Sequence, residues 1–188
     1  IAYQREQYLE HKYVKGGVKN MDVFAAIQRR RSIRKYLPKE VEEEKLKRIL
    51  EAARLAPSAK NRQEWRFVVV KDRDKREELV REASPHQPFM LSAPIIIVAY
   101  TMDNSYVMKC GVPAHYIDIA IALSHIHLQA VEEGLGTCWI GSFDQDGAKR
   151  VLGLPKEAEV VQLMTLGYPA EEPPPRPRLP LEEIVRII

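Results

Sequence analysis

The apolar positions of the chain follow two periodicities. From Met21, Val23, Phe24 and Ile27 recur at helical spacing behind Asn20 and Asp22, either of which can cap the first turn. Over residues 42–55 an amphipathic pattern puts Leu46, Ile49, Leu50 and Ala53 on one face. The helix it predicts stops before Pro57, because the residue preceding a proline is pushed out of the helical region. Residues 65–71 predict a strand and residues 72–83 a charged surface helix. Residues 93–101 are wholly apolar and β-branched, the mark of a central strand covered on both faces. From Pro113 to Glu133 apolar residues cover nearly every face of a long helix, so it must be buried in a core or a subunit interface. Gly134 then ends it. A strand over 136–143, a short helix over 144–152 and a strand over 160–167 follow. The proline-rich stretch 169–180 can be neither helix nor central strand. It predicts an extended arm carrying Arg176 and Arg178, followed by an apolar segment, 181–188, able to dock.

This order of elements predicts an α+β or α/β fold, a sheet packed by helices. An arm without a partner in its own neighbourhood, together with a helix apolar all round, suggests an intertwined dimer. With 188 residues the chain is long enough for one well-packed domain. We assign that domain to residues 21–188. Residues 1–20, with Tyr3, Tyr8 and Tyr13 among charges before Gly16-Gly17, form an N-terminal extension. Met21 is an alternative start, and the extension is expected to be ordered and docked, a neighbouring subunit being one surface for it.

Composition narrows the function. The 29 basic and 26 acidic residues nearly balance, which argues against disorder, and the small excess does not imply nucleic acid. No apolar run reaches membrane-spanning length and no signal-peptide pattern opens the chain. Cys110 and Cys138 make no disulfide framework and no CxxC pair, so free thiols in a reducing, cytoplasmic setting are expected.

What stands out is where positive charge gathers. Gln28-Arg29-Arg30-Arg31-Ser32-Ile33-Arg34-Lys35-Tyr36 packs four arginines and a lysine into nine residues. Alone, this run fits a solvated face or an anion clamp equally well. Arginine suits a phosphate because its planar fork offers two parallel charged hydrogen bonds. The interleaved aromatics of a nucleic-acid patch are missing. The loop Pro57-Ser58-Ala59-Lys60-Asn61-Arg62-Gln63 offers donors and acceptors that would suit a planar heterocycle, or is a plain connection. The glycines around Ile140-Gly141-Ser142 follow a helix and enter a strand, the wrong context for a dinucleotide fingerprint. Gly141 either lets a backbone N–H approach a ligand or serves a turn. His125 and His127, two apart on a helix, cannot share a metal, and no metal site is expected. Asp118, inside the apolar helix, is expected to be a hydrogen-bonded buried group rather than a catalytic acid.

Four pieces in this order resemble the nitroreductase family of flavin enzymes: Arg30-Arg31-Ser32-Ile33-Arg34; the run from Ala56 to Phe67; Gly134-Leu135-Gly136 through Trp139-Ile140-Gly141-Ser142-Phe143-Asp144; and Leu166-Gly167-Tyr168-Pro169 leading to Arg176 and Arg178. The resemblance covers residues 21 to the end. It implies an α+β homodimer with a mostly antiparallel central sheet, an exchanged C-terminal arm and FMN at the subunit interface. It assigns Arg30, Arg31, Ser32 and Arg34 to the phosphate, ribityl chain and pyrimidine edge, and adds Arg176 and Arg178 to the phosphate clamp. Pro57, Ser58, Ala59 and Asn61, with Gln63 less central, would border the ring from the partner subunit. Ile140, Gly141 and Ser142 would line it near N5. The implied activity is hydride transfer from NAD(P)H through flavin N5 to nitroaromatic, quinone or similar electron-poor acceptors, with no protein acid or base required. Reductive dehalogenation, flavin fragmentation or a non-enzymatic flavin-binding role are the alternatives. The chain departs from the family in having no acidic residue near Gly141, Glu64 where a proline is common, and room only at residues 102–112 for a short version of the substrate-covering insertion.

Overall fold

The computed structural model describes residues 21–188, so the predicted extension 1–20 lies outside the described residues. Four strands form one sheet in the order β1-β2-β4-β3, every pair antiparallel. They are β1 (Trp65–Val70), β2 (Ile95–Thr101), β3 (Gly136–Ile140) and β4 (Glu159–Gly167). The helices are α1 (Val23–Arg29), α2 (Glu43–Arg54), α3 (Arg73–Ala83), α4 (Ala114–Glu132), α5 (Gln145–Leu152) and the short α6 (Leu181–Ile184).

The sheet is the middle of three layers. Ile95, Ile97 and Ala99 of β2 pack with Met164 and Leu166 of β4 against α2 and α4, through Ile49, Ala53, Ile119, Leu123 and Ile126. Ile96 and Val98 point the other way and meet Leu79, Val80 and Ala83 of α3 and Ala148 and Val151 of α5. Successive strand side chains face opposite sides, so only a continuous apolar run satisfies a strand sandwiched this way. That is why 93–101 shows no polar alternation.

Local chemistry sets the helix ends. Asp22 Oδ1 accepts from the Ala25 N–H at 2.8 Å and Asp144 Oδ1 from the Gly147 N–H at 2.6 Å, each satisfying a donor that a helix start leaves orphaned. Gly134 and Gly153 follow α4 and α5 with φ of 73° and 61°, the left-handed region that glycine enters without strain.

Two segments differ from the sequence-predicted pattern. β3 ends at Ile140 rather than 143, because its last pairing is Ile140 with Leu163 and the chain then turns so that the Asp144 N–H donates to the Ala83 carbonyl at 2.7 Å. Residues 181–188 do not dock on their own subunit: Leu181, Ile184, Ile187 and Ile188 are all exposed. Within the single chain α4 is covered by the core on one face only, which leaves the subunit-interface part of its expected burial untested. Its core face is covered, but Tyr116 and Ile117 are exposed, and on the neighbouring α1 Val23, Phe24 and Ile27 are 71, 60 and 51% exposed.

The free edge of β3 is where the basic run attaches. Ser32 forms a parallel bridge with Thr137, and the Ile33 N–H donates to the Thr137 carbonyl at 3.0 Å. Gly136 makes this approach possible, since a Cβ there would sit 2.5 Å from Ile33 Cγ1 and 2.9 Å from Ile33 Cβ. Gly136→Ala should therefore push the basic strand outward and cost about 1–3 kcal/mol, the usual penalty of overpacking. Chemical denaturation would measure it, and an unchanged midpoint would show that the contact is not tight.

Candidate functional site

The basic run leaves the β3 edge and meets the chain just after β4. The Leu37 N–H donates to the Tyr168 carbonyl at 2.9 Å and the Ala170 N–H to the Lys35 carbonyl at 2.8 Å. The proline-rich arm is thereby laid alongside residues 31–36. Between them lies a cleft of about 590 Å³ that Arg30, Arg31, Ser32, Arg34, Arg176 and Arg178 all line, together with Ile27, Gln28 and Pro173–Pro175. Segments some 140 residues apart thus present five guanidinium groups and a hydroxyl to one space.

The arginines are not equivalent. Arg31 is largely spent on the protein itself: Nε donates to the Pro173 carbonyl at 3.1 Å, and Nη1 to the carbonyls of Gln28 and Arg30 at 2.7 and 2.9 Å. It braces the arm against the run. Arg30 makes no side-chain hydrogen bond to the described residues and is half-buried. Burial, then the charges of Arg178 and Arg31, push its pKa down. Among the described residues no carboxylate pairs with Arg30, Arg34, Arg176 or Arg178. Glu171, one of two acids on the arm, instead accepts the Arg34 backbone N–H at 2.6 Å. The Arg34 guanidinium lies 5.9 Å from the centroid of the Phe89 ring, a cation–π distance.

The other two sequence-predicted pieces lie outside this cleft. Ile140 is buried at the end of β3, while Gly141 and Ser142 are exposed. A Cβ on Gly141 would meet nothing within 4 Å, so the strand end faces open room. The Ser142 hydroxyl pairs with His86 Nε2 at 2.6 Å, and its carbonyl accepts from the Ser84 hydroxyl at 3.0 Å.

The loop bearing Pro57, Ser58, Ala59, Asn61 and Gln63 is held in a strained form. Lys60, Asn61 and Gln63 have φ of 53°, 54° and 54°, a left-handed conformation costing about 1 kcal/mol or more for each side-chain-bearing residue. The Ser58 hydroxyl accepts the Gln63 N–H at 3.1 Å and Asp118 Oδ1 accepts the Ala59 N–H at 3.0 Å. Asp118 is therefore a buried anchor for this loop, as a hydrogen-bonded polar group in an apolar helix should be. Strain maintained by such supports concentrates at functional sites.

The model of the nitroreductase family matches residues 27–86 and 80–168, most of the chain. The chain belongs to the nitroreductase family. An NADH dehydrogenase of Thermus thermophilus is 35% identical over 196 residues, 88% of this chain and 95% of that protein. Among solved structures, an FMN-dependent nitroreductase from Clostridium difficile superposes with a TM-score of 0.71 at 35% identity, covering 80% of this chain and 89% of that one. An NADPH:FMN oxidoreductase from Vibrio harveyi, complexed with NAD+, superposes with a TM-score of 0.79 at 27% identity, covering 88% and 76%. The antiparallel sheet flanked by helices is this family's fold.

The residues fit the cofactor named for the Clostridium protein. The donor set is cationic and forked, as a phosphate requires, and the open room at Gly141 admits a planar group near a strand end. The roles of three residues in the site's framework escaped the sequence reading: His127, Glu171 and Trp139, which stood in a family motif without its bond to His127. His127 was weighed only as a metal ligand, and Glu171 stands in a stretch that reads as linker.

Proposed function

We propose that this chain is an NAD(P)H-dependent flavin oxidoreductase that binds FMN and reduces nitroaromatic, quinone or similar electron-poor acceptors. The observation that carries the reading is an arginine cluster in the 590 Å³ cleft that no carboxylate of the described residues compensates. Burial first, and then the like charges of Arg178 and Arg31, disfavour the charged form of Arg30 and push its pKa down. A dianionic phosphate offsets this cost and supplies an acceptor for Arg30, whose guanidinium makes no hydrogen bond to the described residues.

When bound, the flavin supplies the hydride relay between NAD(P)H and the acceptor. The chain's own groups bind and orient. Arg30, Arg176 and Arg178 hold the phosphate with Ser32 adding a hydroxyl, Arg31 keeps the arm closed over it, and Arg34 adds positive charge along the same wall. Ile140, Gly141 and Ser142 line the ring. Electrostatic placement of this kind needs no side-chain acid or base.

The working unit in this reading is a homodimer. The exposed apolar residues of α1 and α4 form one interface, and the apolar end of the arm, Leu181 to Ile188, crosses to the second copy. The Pro57–Gln63 loop of that copy then borders the ring. Residues 21–188 are the flavin-binding domain and residues 1–20 an extension to it. No helix of the described residues is long and apolar enough to cross a membrane.

The purified protein should be yellow, or become so with added FMN. NADH or NADPH should bleach it without oxygen, and a nitroaromatic or a quinone should restore the colour. A protein that takes up no FMN overturns the reading. One that binds FMN but is not bleached by either nucleotide loses the hydride-transfer step.

A further inference from the structure

One buried imidazole joins three parts of the site. His127 lies within α4 and is buried, only 5% exposed. Trp139 of β3 donates its indole N–H to His127 Nδ1 at 3.1 Å, and His127 Nε2 stands 3.3 Å from the Arg31 carbonyl. The two neighbours settle the tautomer. An indole can only donate and a carbonyl can only accept, so Nδ1 is bare and Nε2 carries the proton.

We propose that His127 is a positioning residue for the arginine clamp, its Nε2–H fixing the backbone at Arg31 while the Trp139 indole holds the ring in register. This rests on the flavin reading above. The backbone so held carries Arg30, the half-buried guanidinium of the cleft, on one side and the Ser32 bridge to Thr137 on the other. A leucine would fill the same core space, but it would strand the indole N–H and take a donor away from the Arg31 carbonyl. Nothing else bonded to the ring is ionisable. From the basic strand it feels the Arg30 charge and bonds the Arg31 carbonyl, from β3 it meets Trp139, and the residues one turn away on α4 (Leu123, Ser124, Ala130 and Val131) do not titrate.

The arrangement works only with a neutral ring. A proton on Nδ1 would set two donors against each other at Trp139 and add a positive charge beside Arg30. Burial, then the Arg30 charge, hold the pKa down to about 4, against about 6.5 in an unfolded chain. Between those values the unfolded state binds more protons, so this group's contribution to stability is complete above about 6.5 and is lost as pH falls toward 4. The clamp should loosen over the acid end of the same range.

FMN binding to the full chain, followed by flavin fluorescence from pH 4.5 to 8, tests this with wild type, His127→Gln and His127→Leu. His127→Leu should bind FMN about tenfold more weakly at pH 7.5, as expected when buried polar groups lose their partners. His127→Gln can accept from the indole and donate to the carbonyl, so it should bind like wild type there. Below pH 5 wild type should weaken more than His127→Gln, which cannot titrate. The phosphate's own ionisation, near pH 6, is common to both and cancels. A second readout needs no flavin: nitrogen NMR of the flavin-free protein should show His127 as the Nε2–H tautomer. Equal affinity of His127→Leu and wild type, or coincident pH profiles of wild type and His127→Gln, would overturn the proposal while leaving the flavin reading intact. Absence of FMN binding in wild type itself would overturn both.

Discussion

Arg30→Ala should release FMN while leaving the flavin-free protein as stable as wild type or more so. Both halves come from the same geometry. Arg30 lines the cleft, makes no side-chain hydrogen bond to the described residues, and is held half-buried beside Arg178 and Arg31. In the empty cleft its charge is a burden, so truncation relieves repulsion and uncovers no acid. With a phosphate in place, the same charge makes hydrogen bonds worth about 1.5–3 kcal/mol, or about 10- to 100-fold in affinity. Arg31→Ala should behave differently. Its bonds to the Gln28, Arg30 and Pro173 carbonyls brace the arm, so its loss should lower stability together with affinity. Lys47→Ala, on the outer side of α2, should change neither. Flavin titration with thermal melts of the flavin-free proteins separates the three. An Arg30→Ala protein that keeps FMN at wild-type affinity would remove Arg30 from the phosphate site.

The contrast between Arg30 and Arg31 shows where sequence reasoning stops. The helices and strands were legible because burial imposes its period on the apolar residues. Ile95 to Ala99 carry alternate side chains into two different cores, and only a run without polar residues can do that. The charge run and the paired arginines of the arm were legible as a gathering of positive charge, and the structure brings them to one cleft; the run alone left a solvated face and an anion clamp equally open. Their division of labour was not legible. Whether a guanidinium faces a ligand or a backbone carbonyl depends on where Pro173 lies after the chain has folded back across 142 residues. His127 and Trp139 were hidden for the same reason, because their bond forms only when α4 packs beside β3. The strain at Lys60, Asn61 and Gln63 was hidden too, because no glycine marks those turns.

A single carboxylate on the uncovered apolar surface should split the proposed homodimer and, with it, the flavin site. Phe24 on α1 and Ile117 on α4 are 60 and 42% exposed in the single chain, more than large apolar groups clustered on adjoining helices usually are unless a partner covers them. In a two-fold interface each substitution occurs twice. An aspartate buried there without a partner costs several kcal/mol, a large part of what holds two subunits of this size together. Phe24→Asp and Ile117→Asp should therefore sediment as monomers at micromolar concentration while keeping wild-type helical content, since neither residue belongs to the core of its own subunit. Neither lines the arginine cleft, so the clamp of each chain stays intact. FMN retention should still fall sharply, because the strained Pro57–Gln63 loop that borders the ring belongs to the other copy in this reading. The two measurements together locate the site. Monomers that bind FMN at wild-type affinity would place the whole site within one chain. Variants that remain dimeric would move the interface away from α1 and α4. Only the joint loss of dimer and flavin is what a cofactor held between two copies predicts.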